Sequence, residues 1–204
     1  MIDHNEQVEL LKEVELLKGK TVVIVDDEDE YRNCHRKACE AVGAVVVGEY
    51  KTVLRALKGM FPKPVILKGA GKPMVQEALD NPGSFNLADI VLTDHRAEPG
   101  YGTQIIHTIG ICEEASHVAC VLITGDDSVG EDKVTKLANG AQCVSKLDRL
   151  RHLDENSPDI KRYTDRILAA AIKSIKITQS KDGPARSDLI HNQYSPVFGE
   201  RVIC

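Results

Sequence analysis

Four short apolar runs in this 204-residue chain each end at a side chain able to handle phosphate. Val22-Val23-Ile24-Val25 runs into Asp26 and Asp27. Ile90-Val91-Leu92 leads through Thr93 to Asp94, Val121-Leu122-Ile123 leads to Thr124, and Cys143-Val144-Ser145 leads to Lys146. In an open α/β sheet, ligands bind outside the carboxyl ends of the strands. Three acids, a hydroxyl and an ammonium at such ends therefore point to one site for a divalent cation and a phosphoryl group. Mg2+ takes hard oxygens, usually one or two carboxylates with phosphate oxygens and water. Three clustered carboxylates repel one another, and without a cation one of them is pushed toward protonation. A cation removes that penalty and draws phosphate in. An ionised aspartate can also attack phosphorus to give an acyl phosphate. Lys146 would then balance charge on the transferring oxygens and Thr124 would donate a hydrogen bond to one of them. Phosphoryl transfer asks for little more than this positioning.

The elements that must place these residues alternate along the chain. Residues 7–18 put Val8, Leu11, Val14 and Leu17 on one helical stripe, a short amphipathic helix able to pack on the domain or on a second chain. The unbroken run Thr21–Val25 predicts a strand buried on both faces. A helix is expected over 27–42, with acids in its first turn and Gly43 at its end. A strand is expected over 44–47. Residues 50–88 are irregular. Helix-like stretches at 52–60 and 74–79 flank Pro62, Pro64, Gly69, Gly71 and Pro73, so an inserted loop or small hairpin near Val65-Ile66-Leu67 is expected. Further strands are predicted at 89–93, 117–123 and 141–145, and helices at 102–111, 128–139 and 159–177. The last helix carries Ile160, Tyr163, Ile167, Ala171 and Ile175 on one face. Residues 178–204 show little periodicity and read as an extended tail. Five β-α units imply an α/β fold, a parallel sheet with helices on both faces.

Size and composition bound the rest. The length suits one domain with extensions. A net charge of −5 and the absence of a basic face argue against nucleic acid as a partner. No apolar run approaches a membrane span. Asp3, Glu6 and Glu9 after Met1 are unlike a secretory signal, so a cytoplasmic protein is expected. Six cysteines at 34, 39, 112, 120, 143 and 204 show no metal-ligand spacing and read as small hydrophobes. His95 reads as a solvated loop residue, and His117 and Cys120 as strand core.

With these residues in place, the chain resembles the receiver domain of two-component response regulators, in its stand-alone, chemotaxis-regulator-like form. The resemblance is carried by VVIVDDEDE, VLTDHRAEPGYG, LITGDD and AQCVSK. Thr124 follows Asp94 by 30 positions, Lys146 follows Thr124 by 22, and Gly102 stands eight after Asp94. The resemblance covers about residues 20–177. It implies a flavodoxin-like five-stranded parallel sheet in the order 2-1-3-4-5, with residues 1–19 as an N-terminal helix, an insertion at about 50–86 before strand 3, and a 178–204 extension. It further implies that Asp94 accepts a phosphoryl group from a histidine kinase or phosphotransfer protein. Asp27, Asp94 and the backbone carbonyl of Arg96 would ligate Mg2+ directly, and Asp26 largely through water. Lys146 and Thr124 would bind the phosphoryl group, and Gly125 would leave its approach open. Output would run by contact with a downstream protein, and a homodimer stays open.

Three positions depart from the family pattern. Asp27 and Asp94 are 67 positions apart, longer than usual by roughly two dozen, and long loops of this kind are often functional. Leu147 stands where a proline usually follows the lysine, and Cys143 where an aromatic is common. The runner-up reading is a haloacid-dehalogenase-like phosphohydrolase, using Asp27-Glu28-Asp29 as its D-x-D element. It leaves Asp94 without a role and lacks a later acidic pair. A third reading is a scaffold with the receiver fold that works without phosphate. The leading reading is not an enzyme in the turnover sense but a self-phosphorylating, autodephosphorylating acceptor.

Overall fold

The computed structural model describes residues 13–60, 88–112, 115–126, 129, 131–148, 150–154 and 156–180. Five strands form one parallel sheet: β1 (Thr21–Val25), β2 (Val45–Tyr50), β3 (Ile90–Asp94), β4 (Ala119–Thr124) and β5 (Gln142–Ser145). Their order is β2-β1-β3-β4-β5, as the resemblance implied. Between them run helices α1 (Asp29–Ala41), α2 (Val53–Met60), α3 (Gly102–Ile111) and α4 (Glu131–Val134). A 3-10 turn (Leu150–His152) and helix α5 (Pro158–Gln179) follow β5.

The unbroken apolar runs are explained by two cores. Val22 and Ile24 of β1, Ile90 and Leu92 of β3, and Ala119, Val121 and Ile123 of β4 pack against α1 and α5. Their alternates Val23, Val25, Val91, Cys120 and Leu122 pack against α2, α3 and α4. Successive side chains point to opposite faces, so a strand covered on both sides must be apolar throughout. Each fully buried Val, Leu or Ile contributes about 1.5–3 kcal/mol. The predicted stripe of the last helix turns inward as expected, with Tyr163, Ile167, Ala171 and Ile175 all buried. Leu17 closes the same core from the turn before β1.

At the amino end of the sheet, β1 and β3 are locked together by Asp89. Its Oδ2 accepts from the Thr21 amide and hydroxyl at 2.9 Å each, and Lys20 pairs with Oδ1 at 2.9 Å. This fixes the register that brings Val25 opposite Thr93, and so sets Asp26 beside Asp94.

Several boundaries differ from the sequence expectation, each for a physical reason. Strand β2 does not stop at Val47. Its register slips between Val22 and Val23, which pair with Val46 and Gly48, so Val47 is bulged and the strand continues to Tyr50. Helix α1 begins at Asp29, not Asp27, because the Asp26 carboxylate accepts the Glu28 amide at 3.0 Å and holds a turn there. Among the described residues of the helix expected over 128–139, only Glu131–Val134 are helical. Beyond it the Leu137 amide bonds the Val134 carbonyl in a three-residue turn, and the Leu137 carbonyl lies where a Cβ on Gly110 of α3 would stand. His117 sits exposed in a turn before β4, while Cys120 is buried within it. Helix α5 runs two residues into the expected tail, to Gln179. The start of the N-terminal helix, the hairpin near Val65, the stretch at 74–79 and the rest of the tail lie outside the described residues. No helix among the described residues is long and apolar enough to cross a membrane.

Helix α5 also supplies a polar tie. The Cys120 amide lies one residue before β4 begins pairing with β5, and the fully buried Ser174 hydroxyl accepts its hydrogen bond at 3.0 Å. Ser174→Ala leaves that buried N–H unsatisfied and is expected to cost about 1–3 kcal/mol in urea denaturation. An unchanged midpoint would show that α5 does not satisfy β4 in this way.

Candidate functional site

Strands 1, 3, 4 and 5 are contiguous, so their carboxyl ends form one rim. Asp26 and Asp27 follow β1, Asp94 ends β3, Thr124 ends β4 and Lys146 follows β5. Carboxylate oxygens of Asp26, Asp27 and Asp94 all lie within 4.8 Å of one another. Asp26 and Asp94 are buried and Asp27 is exposed, so the cluster opens to solvent on one side. The Lys146 ammonium reaches in from the other side, 3.2 Å from Asp26 Oδ2, 3.3 Å from Asp94 Oδ1 and 3.1 Å from Glu28 Oε1.

Backbone bonds hold these side chains in place. The Asp26 amide donates to the Tyr50 carbonyl at 3.1 Å, the Lys146 amide to the Thr124 carbonyl at 2.7 Å and the His95 amide to the Ile123 carbonyl at 2.8 Å. The Asp94 Oδ2 accepts from the Arg96 amide at 3.1 Å. Thr124 Oγ1 accepts from the Asp126 amide at 2.9 Å, a bond that uses an oxygen lone pair and not the hydroxyl proton. Gly102 permits the turn after Asp94 to close. A Cβ on it would stand 2.2 Å from the Asp94 carbonyl oxygen. A Cβ at Gly125 would meet nothing within 4 Å, so the face beside Thr124 is open.

The electrostatics show a pocket short of positive charge. Burial and the neighbouring Asp94 charge push the Asp26 carboxyl up to about 7, although Lys146 pulls it down. Burial works against the Lys146 ammonium, yet Asp26, Asp94 and Glu28 outweigh it and raise its pKa, so the lysine stays charged. Asp26 Oδ2 is buried and makes no hydrogen bond among the described residues, though the Lys146 ammonium lies 3.2 Å away. An additional cation among the three carboxylates would relieve both conditions, so the donor set fits a hard divalent ion such as Mg2+.

The six residues expected from the sequence fall on this rim, Arg96 included. The Arg96 guanidinium is exposed and lies 3.5 Å from Asp126. Three contributors escaped the sequence reading: Glu28, Tyr31 and Arg32. Glu28 and Tyr31 contact Lys146, with the Tyr31 ring centroid 4.0 Å from the ammonium. Arg32 is buried, donates to the Asp26 carbonyl and pairs with Asp29. Asp29 pairs with Arg32 and Lys51 and is not among the clustered acids, which disfavours the D-x-D reading of Asp27-Glu28-Asp29. His95 is not a solvated loop residue: its ring is half-buried, stacked at a tilt against Tyr101 with centroids 5.4 Å apart. Burial pushes the Cys39 and Cys120 thiols up to about 12, which leaves them unreactive.

No family model matches the chain, and no curated protein does. Solved structures do. The response regulator domain of CheB from Thermotoga maritima aligns with a TM-score of 0.50 at 12% identity, over 78% of this chain and 98% of that one. The signal receiver domain of NarL from Mycobacterium tuberculosis gives 0.49 at 18% identity, over 76% and 97%. The response regulatory domain of mrkE from Klebsiella pneumoniae gives 0.48 at 16%, over 78% and 97%. Together with the strand order, the likeness to the CheB domain shows the fold: this chain carries a receiver-type, flavodoxin-like sheet.

Behind the pocket lies a buried histidine. His35 Nε2 and the Tyr163 hydroxyl are 2.9 Å apart, and burial, aided by Lys146, pulls the imidazole down to about 3. The unfolded chain takes up this proton below about pH 6.5 and the folded chain does not until far lower. The resulting stability is therefore full above pH 6.5 and lost as pH falls toward 3. Between about pH 7.5 and pH 5 the wild type is expected to lose about 2 kcal/mol more in urea denaturation than His35→Gln. Equal losses would contradict a neutral buried imidazole.

Proposed function

We propose that the chain is a response regulator receiver that accepts a phosphoryl group on Asp94, in a Mg2+-dependent reaction, from a histidine kinase or phosphotransfer protein. One observation supports this above the others: the Asp26, Asp27 and Asp94 oxygens lie within 4.8 Å of one another, with the Lys146 ammonium 3.3 Å from Asp94. The hydrolase reading, with Asp27 as its acid, leaves Asp94 without a role although Asp94 sits in the cluster beside the lysine.

In this reading, an Asp94 carboxylate oxygen attacks phosphorus, the bond to the donor's nitrogen or oxygen breaks, and the donor leaves with its electron pair. An acyl phosphate results. Lys146 stays beside the new phosphoryl group and offers N–H bonds to its oxygens, while the Thr124 hydroxyl donates to another. Asp26, Asp27, Asp94 and the Arg96 carbonyl would hold Mg2+, which when bound supplies charge neutralisation for the acids and the phosphoryl oxygens. Moving Thr124 and Lys146 toward the new charge biases a two-state equilibrium. Output then runs through contact with a downstream protein. Residues 1–19 and 178–204 are taken as extensions of a domain at 20–177, whose insertion, expected at about 50–86, would begin only after α2 ends at Met60. A cytoplasmic setting, where kinase and phosphotransfer partners work, belongs to the same reading.

Incubation with acetyl phosphate and Mg2+, read by intact mass, tests the proposal. Wild type is expected to gain one phosphate, and Asp94→Asn none. Chelating the metal with EDTA should abolish the gain. Equal labelling of both proteins would remove Asp94 from its role, and steady turnover of a phosphate ester would favour the hydrolase.

A further inference from the structure

The Lys146 ammonium is enclosed by more than its acids. Asp26, Glu28 and Asp94 pull on it from three directions, at 3.1 to 3.3 Å. Glu28 is half-exposed and pairs with the ammonium at 3.1 Å from just before α1. The remaining side is the face of Tyr31, whose ring centroid lies 4.0 Å from Nζ. An aromatic face attracts a cation without taking one of its hydrogens. All three ammonium protons therefore stay available to oxygens, whether carboxylate or phosphoryl.

Tyr31 holds the backbone as well as the side chain. Its hydroxyl donates to the Leu147 carbonyl, directly after the lysine. The ring itself is buried and backed by two further rings. It meets Tyr163 of α5 edge-on, with centroids 6.4 Å apart at 83°, and Tyr163 is in turn tied to His35. Tyr31 therefore presents a fixed face to the lysine rather than a mobile one. A long, flexible lysine gains most from such a support, because each rotamer it loses beforehand need not be lost during the reaction.

We propose that Tyr31 is a positioning residue for phosphoryl transfer: its ring and hydroxyl together hold Lys146 so that the ammonium faces Asp94 before a phosphoryl group arrives. This rests on Asp94 being the phosphoacceptor. Tyr31→Phe keeps the ring and loses the bond to Leu147, and Tyr31→Leu loses both. Tyr31→Met fills the volume without a ring, should the leucine variant fail to fold by its melting curve.

Two readouts on the full chain decide the matter. In NMR spectra the Lys146 ε-methylene protons are expected upfield, under the ring, in wild type and Tyr31→Phe. They should move to the ordinary lysine position in Tyr31→Leu or Tyr31→Met. The initial rate of phosphate uptake from acetyl phosphate at saturating Mg2+ should fall about tenfold in the ringless variants and less than about threefold in Tyr31→Phe. A purely packing role would not separate ring from volume in this way. If wild type is labelled and the ringless variants keep its rate, the proposal is overturned while the phosphoacceptor reading stands. If all variants are slowed equally, the ring has no part and the proposal is again overturned. If wild type itself takes up no phosphate, both fall.

Discussion

One lysine set against an excess of carboxylates is the interaction on which the rest of the structure depends. Lys146 touches Asp26, Glu28 and Asp94, and Asp27 stands beside them. A single ammonium cannot neutralise four acids. The shortfall appears in Asp26, whose carboxyl is driven up to about 7 by burial and by Asp94. The pocket is thus built to favour whatever brings positive charge to its acids, and, once that charge is present, whatever brings negative oxygens to the lysine.

The fold exists to hold that imbalance in place. Burying the sheet on both faces fixes β1, β3, β4 and β5 side by side, and parallel strands put all their carboxyl ends on one rim. The Asp89 clamp at the opposite end sets the β1–β3 register. Gly102 lets the chain pass within contact of the Asp94 carbonyl. The start of α1 contributes as well: Glu28, just before the helix, and Tyr31, in its first turn, meet the lysine, and Arg32 grips the Asp26 carbonyl. Helix α5 supports that turn from behind through Tyr163.

The legible and illegible parts of the sequence divide along physical lines. Runs such as Val22–Val25 and Val121–Ile123 announce two-sided burial, because no one-faced strand needs unbroken apolar residues. Acids, hydroxyl and lysine at the ends of such runs then follow from the general rule for α/β sheets. Glu28, Tyr31 and Arg32 were not legible. Their partners lie across the fold, over a hundred positions away for Glu28 and Tyr31, and in a helix their types look like ordinary surface and packing residues. The stretch at 128–139 read as a helix because its composition suits one. Past Val134, contact of Leu137 with α3 at Gly110 overrides that preference and ends the helical turn. The extension of β2 to Tyr50 was hidden for a similar reason, since a bulge at Val47 is set by pairing with β1 and not by local propensity.

The most direct test of the charge imbalance is a Mg2+ titration followed by thermal unfolding, in wild type and in Asp27→Asn and Asp94→Asn. The melting temperature of wild type should rise with Mg2+ and saturate, as binding to the folded state alone requires. Either substitution should weaken that rise. A wild type indifferent to Mg2+, or variants that respond as it does, would contradict the account.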